Sequence, residues 1–112
     1  MDVREFYVSL SPKSALGVLE ESLVRGTISG AMVDVYERIV GDKQVVVCVL
    51  EKYYMRTSNR ASVTITIDNL EENTKVHAAA SGGGAGAFLR FDWGAGDSFV
   101  TSVERALETY MV

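Results

Sequence analysis

The clearest structural signal in the sequence is the heptapeptide SVTITID at residues 62–68, in which polar and apolar side chains alternate. Successive side chains of a β-strand point to opposite faces of its sheet, so the alternation predicts a strand with one buried face. That face carries Val63, Ile65 and Ile67. Because a slip of one residue would turn all three toward water, the heptapeptide also constrains the register of its neighbours.

Turn-forming residues around the heptapeptide predict a succession of antiparallel strands. The expected strands are residues 31–40, 44–56, 60–69 and 74–82. The expected connecting loops are residues 41–43, 57–59 and 70–73. The first loop places Val35 opposite Val49, and the second places Tyr53 opposite Val63. Both choices gather apolar side chains on one face of the sheet.

This register predicts what each face of the sheet presents. The inner face receives an apolar set: Val33, Val35, Ile39, Val45, Val47, Val49, Val63, Ile65, Ile67, Val76, Ala78 and Ala80. Glu37 and Glu51 interrupt that set. The outer face receives a second apolar cluster: Met32, Tyr36, Val46, Cys48 and Leu50. A solvated face seldom leaves such a cluster uncovered, so we expect a second copy of the chain to pack on it and form a homodimer.

A helix is predicted ahead of this sheet. Residues 4–10 alternate as a short strand, and Ser11-Pro12 then supplies an N-cap serine and a proline at the first helical position. The apolar stripe of the helix is Leu16, Leu19 and Leu23. Gly26 ends it.

After the sheet, the chain is rich in glycine and aromatic residues. We expect a loop over residues 81–86, a short sixth strand near 87–92, and a closing helix capped by Asp97 or Ser98. The apolar stripe of that helix is Phe99, Val103, Ala106, Leu107 and Tyr110. The predicted order is β-α-β-β-β-β-(β)-α, an α+β fold with two helices packed on one face of an antiparallel meander sheet. A single domain, residues 1–112, accommodates this order.

Composition and charge argue against several classes of function. The net charge is −4, and the 11 basic residues are scattered among 15 acidic ones, so we expect no nucleic-acid partner. No apolar run reaches the length of a membrane span, and the first residues lack a signal-peptide pattern. Cys48 is the sole cysteine, so no internal disulfide can form, and we expect a cytoplasmic protein.

The Gly-rich segment before Phe88, the aromatic residues through Trp93-Gly94 and the last helix resemble a family of small uncharacterised bacterial proteins. That family is known only as a domain of unknown function, and the resemblance spans nearly the whole chain. The order of elements is also loosely similar to that of helix-grip folds, in which a curved sheet holds a long C-terminal helix and sometimes a ligand. This chain is shorter, and its first helix is too brief to enclose a large cavity. Neither resemblance supplies a catalytic residue.

Common catalytic and cofactor motifs gain little support from the sequence. The glycines can be written Gly82-x-Gly84-x-x-Ala87, but a dinucleotide site requires a helix after them, and the following residues alternate like a strand. Cys48 is expected in mid-strand, two strands from His77, which favours a buried or interface cysteine over a nucleophile. A lone histidine supplies too few donors for a metal site. We therefore expect neither a cofactor nor a metal.

Two carboxylates break the apolar inner face, where an unpaired charge is costly. Glu37 and Glu51 are separated by roughly 13 Å at about 3.3 Å per residue, too far for a paired acid–base mechanism. They are either structural carboxylates that reach water or an arginine, or parts of a site. The candidate binding residues are Glu37, Glu51, Tyr53, Gly83, Gly84 and Trp93.

Three functional hypotheses follow from these residues. The first is a non-enzymatic binding module for a small apolar ligand or peptide, held between the sheet and the helices. The second is a purely structural or regulatory homodimer. The third is an enzyme that uses Glu51 as a general base.

Overall fold

A computed structural model describes residues 2–55, 58–82 and 93–112, without the side chains of residues 93–98. The strands are β1 (Asp2–Val8), β2 (Gly30–Val40), β3 (Lys43–Tyr54), β4 (Asn59–Asp68) and β5 (Thr74–Gly82). The helices are α1 (Pro12–Glu20), which continues into a π-helical turn (Glu21–Arg25), and α2 (Trp93–Leu107), which ends in a 3₁₀ turn (Glu108–Tyr110). This order of elements confirms the α+β fold.

The described strands form one antiparallel sheet in the order β1-β5-β4-β3-β2. β2 to β5 follow one another as a meander, whereas β1 pairs with β5 at the opposite edge. Both helices pack on one face of the sheet, α2 against β1, β4 and β5, and α1 against β3 and β4. We call the other side, on which no described helix packs, the open face. The predicted sixth strand lies outside the described residues.

The hydrophobic core lies between the sheet and the two helices. Its side chains with no exposed surface are Val8, Ala15, Leu19, Val46, Cys48, Leu50, Val63, Ile65, Ile67, Val76, Ala78, Val100, Val103 and Leu107. Both predicted helix stripes contribute to it, although Tyr110 is 37% exposed. Burying one aliphatic side chain contributes about 1.5–3 kcal/mol, so this layer is the main source of stability.

The boundaries of the helices follow the predicted signals at one end of the chain and differ at the other. Ser11 caps α1 as expected, because its hydroxyl accepts a hydrogen bond from the amide of Ser14 (3.2 Å). The closing helix begins at Trp93, earlier than the predicted caps Asp97 and Ser98. None of the helices in the described ranges is long and apolar enough to cross a membrane.

The hairpin between β2 and β3 differs from the predicted one. Its loop has two residues, Gly41 and Asp42, so that Val35 pairs with Cys48. Gly41 has a φ of 61°, as the first position of a type II′ hairpin loop requires. The prediction was wrong because residues 45–50 are all apolar, so either alternate set could face the core.

The hairpin between β3 and β4 is also shifted. Leu50, rather than Tyr53, lies opposite Val63. By contrast, the register predicted between β4 and β5 is confirmed, with Ile65 opposite Ala78. The alternating heptapeptide determined the β4–β5 register. The β3–β4 register also depended on β3, whose two faces are both apolar over residues 45–50.

These shifts exchange the two faces of β3. The predicted outward placement of Val46, Cys48 and Leu50 is wrong, because all three are buried beneath the helices. Met32 also packs against the core, and Tyr36 is the one predicted interface residue on the open face, 52% exposed. The outward residues of β3 are instead Val45, Val47, Val49, Glu51 and Tyr53.

β2 is the edge strand beside β3 and is irregular near its start. A β-bulge at Val33 shifts the register, so that Met32 pairs with Leu50 but Asp34 pairs with Val49. Much of the strand is exposed, including Ile39 at 62%. The helices therefore cover β2 less completely than the central strands.

Candidate functional site

A cleft of about 470 Å³ opens at the end of the sheet where β2 begins and β3 ends. Its lining residues are Thr27, Ile28, Ser29, Lys52, Tyr53, Tyr54 and Met55. One wall is the segment that joins the π-helical turn to β2, and the other is the last part of β3. Because the lining surface is mostly apolar, the cleft suits an apolar molecule.

The first wall is held by a hydrogen-bonded corner. The hydroxyl of Thr27 donates to the carbonyl of Leu23 (2.8 Å) and accepts from the amide of Gly30 (3.1 Å). Gly30 passes so close to the helix that a Cβ there would overlap the carbonyl oxygen of Leu23. Glycine therefore permits the turn from helix to strand. The corner leaves Ile28 fully exposed, at 102%.

The second wall is the end of β3. The hydroxyl of Ser29 donates to the carbonyl of Tyr53 (2.8 Å), which ties the two walls together. Tyr54 packs against the core, whereas Tyr53 points to the open face beside Arg60. Burial raises the pKa of Tyr54, so its phenol stays protonated at neutral pH. Met55 completes the wall and is 78% exposed.

Lys52 brings a positive charge to the described lining of the cleft. Its ammonium nitrogen lies 5.4 Å from the centroid of the Tyr54 ring, a cation–π contact. Within the sheet, Lys52 lies between Gly30 and Ala61. Because both neighbours are small, they leave space beside the half-buried stem of Lys52, and this stem lines the cleft.

Tyr53 is the predicted binding residue that the structure places in the cleft. Gly83 and Gly84 lie outside the described residues. Trp93 is the first residue of α2, and its side chain is also outside the description. The sequence does not indicate the other cleft residues, because Thr27 to Ser29 form a connection after the first helix and the exposed Ile28 and Met55 carry no periodic signal.

The carboxylates Glu37 and Glu51 are not brought together. The predicted inward placement of Glu51 is wrong, because it lies on the open face, where its carboxylate pairs with Arg60 (3.4 Å). Glu37 does face the helix side, opposite Val46, and its Oε2 atom is covered without a hydrogen-bond partner in the described part of the chain. Because Glu37 lies opposite Val46, its distance from Lys52 can be counted along β3. At about 3.3 Å per residue, that distance is roughly 20 Å.

A polar cluster on the open face was not predicted. His77 Nδ1 and Glu5 Oε2 lie 2.9 Å apart, and the hydroxyl of Tyr7 donates to Glu71 (2.8 Å). The hydrogen bond with His77 lowers the pKa of Glu5, and the hydrogen bond with Glu71 raises the pKa of Tyr7. Both pairs depend on β1 lying beside β5, which no local pattern indicates. Within the described ranges, no group of three side chains is placed to hold a metal ion.

Cys48 is buried in the core, as one of its two interpretations predicted. Burial raises the pKa of its thiol to about 12. A cysteine nucleophile reacts as the thiolate, so this side chain is inert at neutral pH.

Comparison with known proteins places the sequence in a family whose function is unknown. Residues 1–111 match a family described as "Family of unknown function (DUF6054)". No curated protein and no solved structure matches the chain significantly. The family match confirms the resemblance to a small uncharacterised domain family. Because it brings no ligand, partner or reaction, function has to be inferred from the residues of this chain.

Proposed function

The chain belongs to the DUF6054 family of unknown function, and since no activity is attached to that family, we propose from its geometry that it is a non-enzymatic binding module for a small apolar ligand. The observation that carries the proposal is the cleft between residues 27–29 and 52–55. Its volume of about 470 Å³ falls within the roughly 300–1,000 Å³ of small-molecule sites, which favours a small molecule over a peptide.

Both walls of the cleft are held in place before a ligand arrives. The Ser29–Tyr53 hydrogen bond joins them, and the Thr27 corner fixes the segment that carries Ile28. A preformed site loses less conformational entropy on binding than one that must order its loops. Ile28 and Met55 are highly exposed in the free protein, so an apolar ligand that covers them would gain hydrophobic free energy.

The test is the binding of a neutral apolar probe, N-phenyl-1-naphthylamine, followed by its fluorescence. The double variant Ile28→Ser/Met55→Ser removes two large apolar side chains from the cleft and none from the core. Each lost side chain weakens apolar contact by about 1 kcal/mol or more, so we expect at least about 10-fold weaker binding.

Ile39→Ser is the matched control for that double variant. Ile39 is also exposed, at 62%, but it lies at the other end of the β2–β3 hairpin. Its replacement should leave probe binding unchanged. Equal affinity in the wild type and the double variant would reject the cleft as the binding site.

We also propose that the protein works in the cytoplasm of a bacterium. The cytoplasmic part is supported by Cys48, the sole cysteine, which is buried. The bacterial part is supported by the family resemblance. The third hypothesis, catalysis by Glu51, gains no support from a carboxylate that is paired with Arg60.

A second candidate function is self-association through the open face. Three valines of β3, which we call the valine strip, point outward there: Val45, Val47 and Val49. Tyr36 lies beside Val47 and is 52% exposed. A two-fold homodimer would cover the valine strip with its own copy. The valine strip replaces the predicted interface residues Val46, Cys48 and Leu50 in this proposal, because those three lie in the core.

Val47→Lys tests this second candidate, because it puts a charge in the middle of the valine strip without entering the core. We expect it to convert a dimer, with twice the monomer mass of 12.2 kDa, into a monomer. Light scattering during size-exclusion chromatography measures the mass. Ser22→Lys, on the helical side of the molecule, should leave the mass unchanged. A monomeric wild type at every concentration would eliminate this candidate.

A further inference from the structure

We propose that the ligand of the cleft is an amphipathic carboxylate, such as a single-chain fatty acid, and that Lys52 binds its head group. The inference rests on the proposed function of the cleft and adds the chemical class of the ligand. Its basis is the presence of a lysine among the described residues that line a mostly apolar cleft.

Lys52 is one of the residues that line the cleft, and its side chain is turned toward the Tyr54 ring. Lys52 lies on the same side of β3 as Tyr54, and its nitrogen lies 5.4 Å from the centre of that ring. Gly30 and Ala61 lie directly opposite Lys52 on the two neighbouring strands, so neither strand places a large side chain beside its stem at that position. Lys52 and the apolar residues thus line the same cleft.

The charge on Lys52 lacks an anionic partner among the described residues. Carboxylates pair with Arg4, Arg25 and Arg60, but none in the described ranges pairs with Lys52. The face of the Tyr54 ring offers the cation only a modest attraction. An anion that arrived in the cleft would therefore find this ammonium group available.

This arrangement discriminates between classes of apolar ligand. A neutral hydrocarbon that filled the cleft would strip water from the ammonium group and give nothing in return, which is unfavourable. A carboxylate would replace that water with a charge-assisted hydrogen bond. The apolar chain would then lie against Ile28 and Met55. The charge of Lys52 and the apolar surface of the cleft together favour a ligand that has a carboxylate and an alkyl chain.

The experiment compares two probes with the same alkyl chain, dodecanoate and dodecan-1-ol. Each probe displaces N-phenyl-1-naphthylamine from the wild type, from Lys52→Met and from Lys43→Met. Methionine keeps much of the lysine stem and removes the charge. Lys43 is the matched control, because it is an exposed lysine at the opposite end of β3.

We expect the wild type and Lys43→Met to bind dodecanoate about 10-fold or more tightly than dodecan-1-ol, the effect of one charge-assisted hydrogen bond. Lys52→Met should lose that preference by weakening dodecanoate alone. Lys52→Glu should reverse it and favour dodecyltrimethylammonium over dodecanoate. Melting curves of each variant verify that the fold is retained.

Two results would overturn the inference in distinguishable ways. Equal affinity of the wild type for the acid and the alcohol, unchanged in Lys52→Met, would reject the carboxylate class and leave the apolar cleft intact as a binding site. Failure of both dodecyl probes and of the fluorescent probe to bind would reject the proposed function, and the inference with it.

Discussion

Cys48 illustrates how the position of a single residue determines its chemistry. It lies in the middle of β3 between two valines that point to the open face, and its own side chain points into the core. Burial disfavours the charged thiolate and raises the pKa of the thiol to about 12. The side chain therefore acts as a small apolar group, and its replacement by valine should change the pH dependence of stability only where the thiol would ionise.

The alkaline stability of the protein tests this interpretation of Cys48. The thiol pKa is about 12 in the folded state and near 9.0 ordinarily. Because the folded pKa is the higher one, the stabilisation is fully present below pH 9 and is lost as the pH rises toward 12. We expect the unfolding free energy of the wild type, relative to Cys48→Val, to fall by up to about 1.4 kcal/mol per pH unit above that ordinary value. Urea unfolding measures both proteins, and parallel profiles would contradict the prediction.

The corner between the first helix and β2 is tightly constrained. A Cβ on Gly30 would overlap the carbonyl oxygen of Leu23 and lie 2.6 Å from Oγ1 of Thr27. We expect Gly30→Ala to destabilise the fold by about 2–4 kcal/mol, since backbone rather than a flexible side chain must move. The same variant should also weaken probe binding, because the corner is one wall of the cleft.

Gly17→Ala is the opposite case and serves as the control for Gly30→Ala. Gly17 lies within α1, and a Cβ there would meet nothing within 4 Å. Alanine is the better helix former by roughly 0.5–1 kcal/mol, so this variant should be more stable than the wild type. Thermal or urea unfolding measures both changes. If Gly17→Ala were also destabilised, the loss of stability in Gly30→Ala could not be attributed to the overlap of its Cβ.

At the level of elements, local patterns predicted the structure well where only one arrangement satisfied them. The alternation of residues 62–68 fixed the β4–β5 register, and Ser11-Pro12 marked the start of α1. β3 could not be oriented from the sequence, because residues 45–50 are apolar without interruption. The choice between its two faces depended on its pairing with β4, in which Leu50 rather than Tyr53 lies opposite Val63, and no local pattern in β3 indicates that pairing.

The candidate site was predictable only in part, for related reasons. Tyr53 is a candidate binding residue predicted from the sequence, and it lines the cleft. The opposite wall comes from a connecting segment that meets β3 through the Ser29–Tyr53 hydrogen bond, a contact between distant parts of the chain. For Lys52, the sequence favours a solvated hairpin end over a role in binding. Its significance depends on the apolar groups that surround it in space.

At the level of the whole molecule, the end of the chain closes the structure against β1. The amide of Ser9 donates to the carbonyl of Tyr110 (2.9 Å), and the amide of Val112 donates to the carbonyl of Tyr7 (3.1 Å). Met111 forms a β-bridge with Val8 and packs against the core. These contacts join the first strand to the segment after the last helix.

Removal of residues 108–112 should therefore lower the unfolding free energy of the whole domain. The loss of two backbone hydrogen bonds and the partly buried Met111 corresponds to about 2–4 kcal/mol. Removal of Val112 alone eliminates one hydrogen bond and should cost no more than about 1.5 kcal/mol. Urea unfolding distinguishes the two deletions. Equal stability of the longer deletion and the full chain would show that the closure contributes nothing.

The bulge at Val33 has a consequence for molecules at high concentration. Among the described strands, β2 forms one edge of the sheet, and the unpaired amides and carbonyls of a sheet edge can capture a strand from another molecule. The bulge disturbs the even spacing of these groups, and Asp34 and Arg38 add charges nearby. An approaching strand would meet a ladder that it cannot match over its full length. The bulge at Val33 thus works against the growth of fibres through strand pairing at β2.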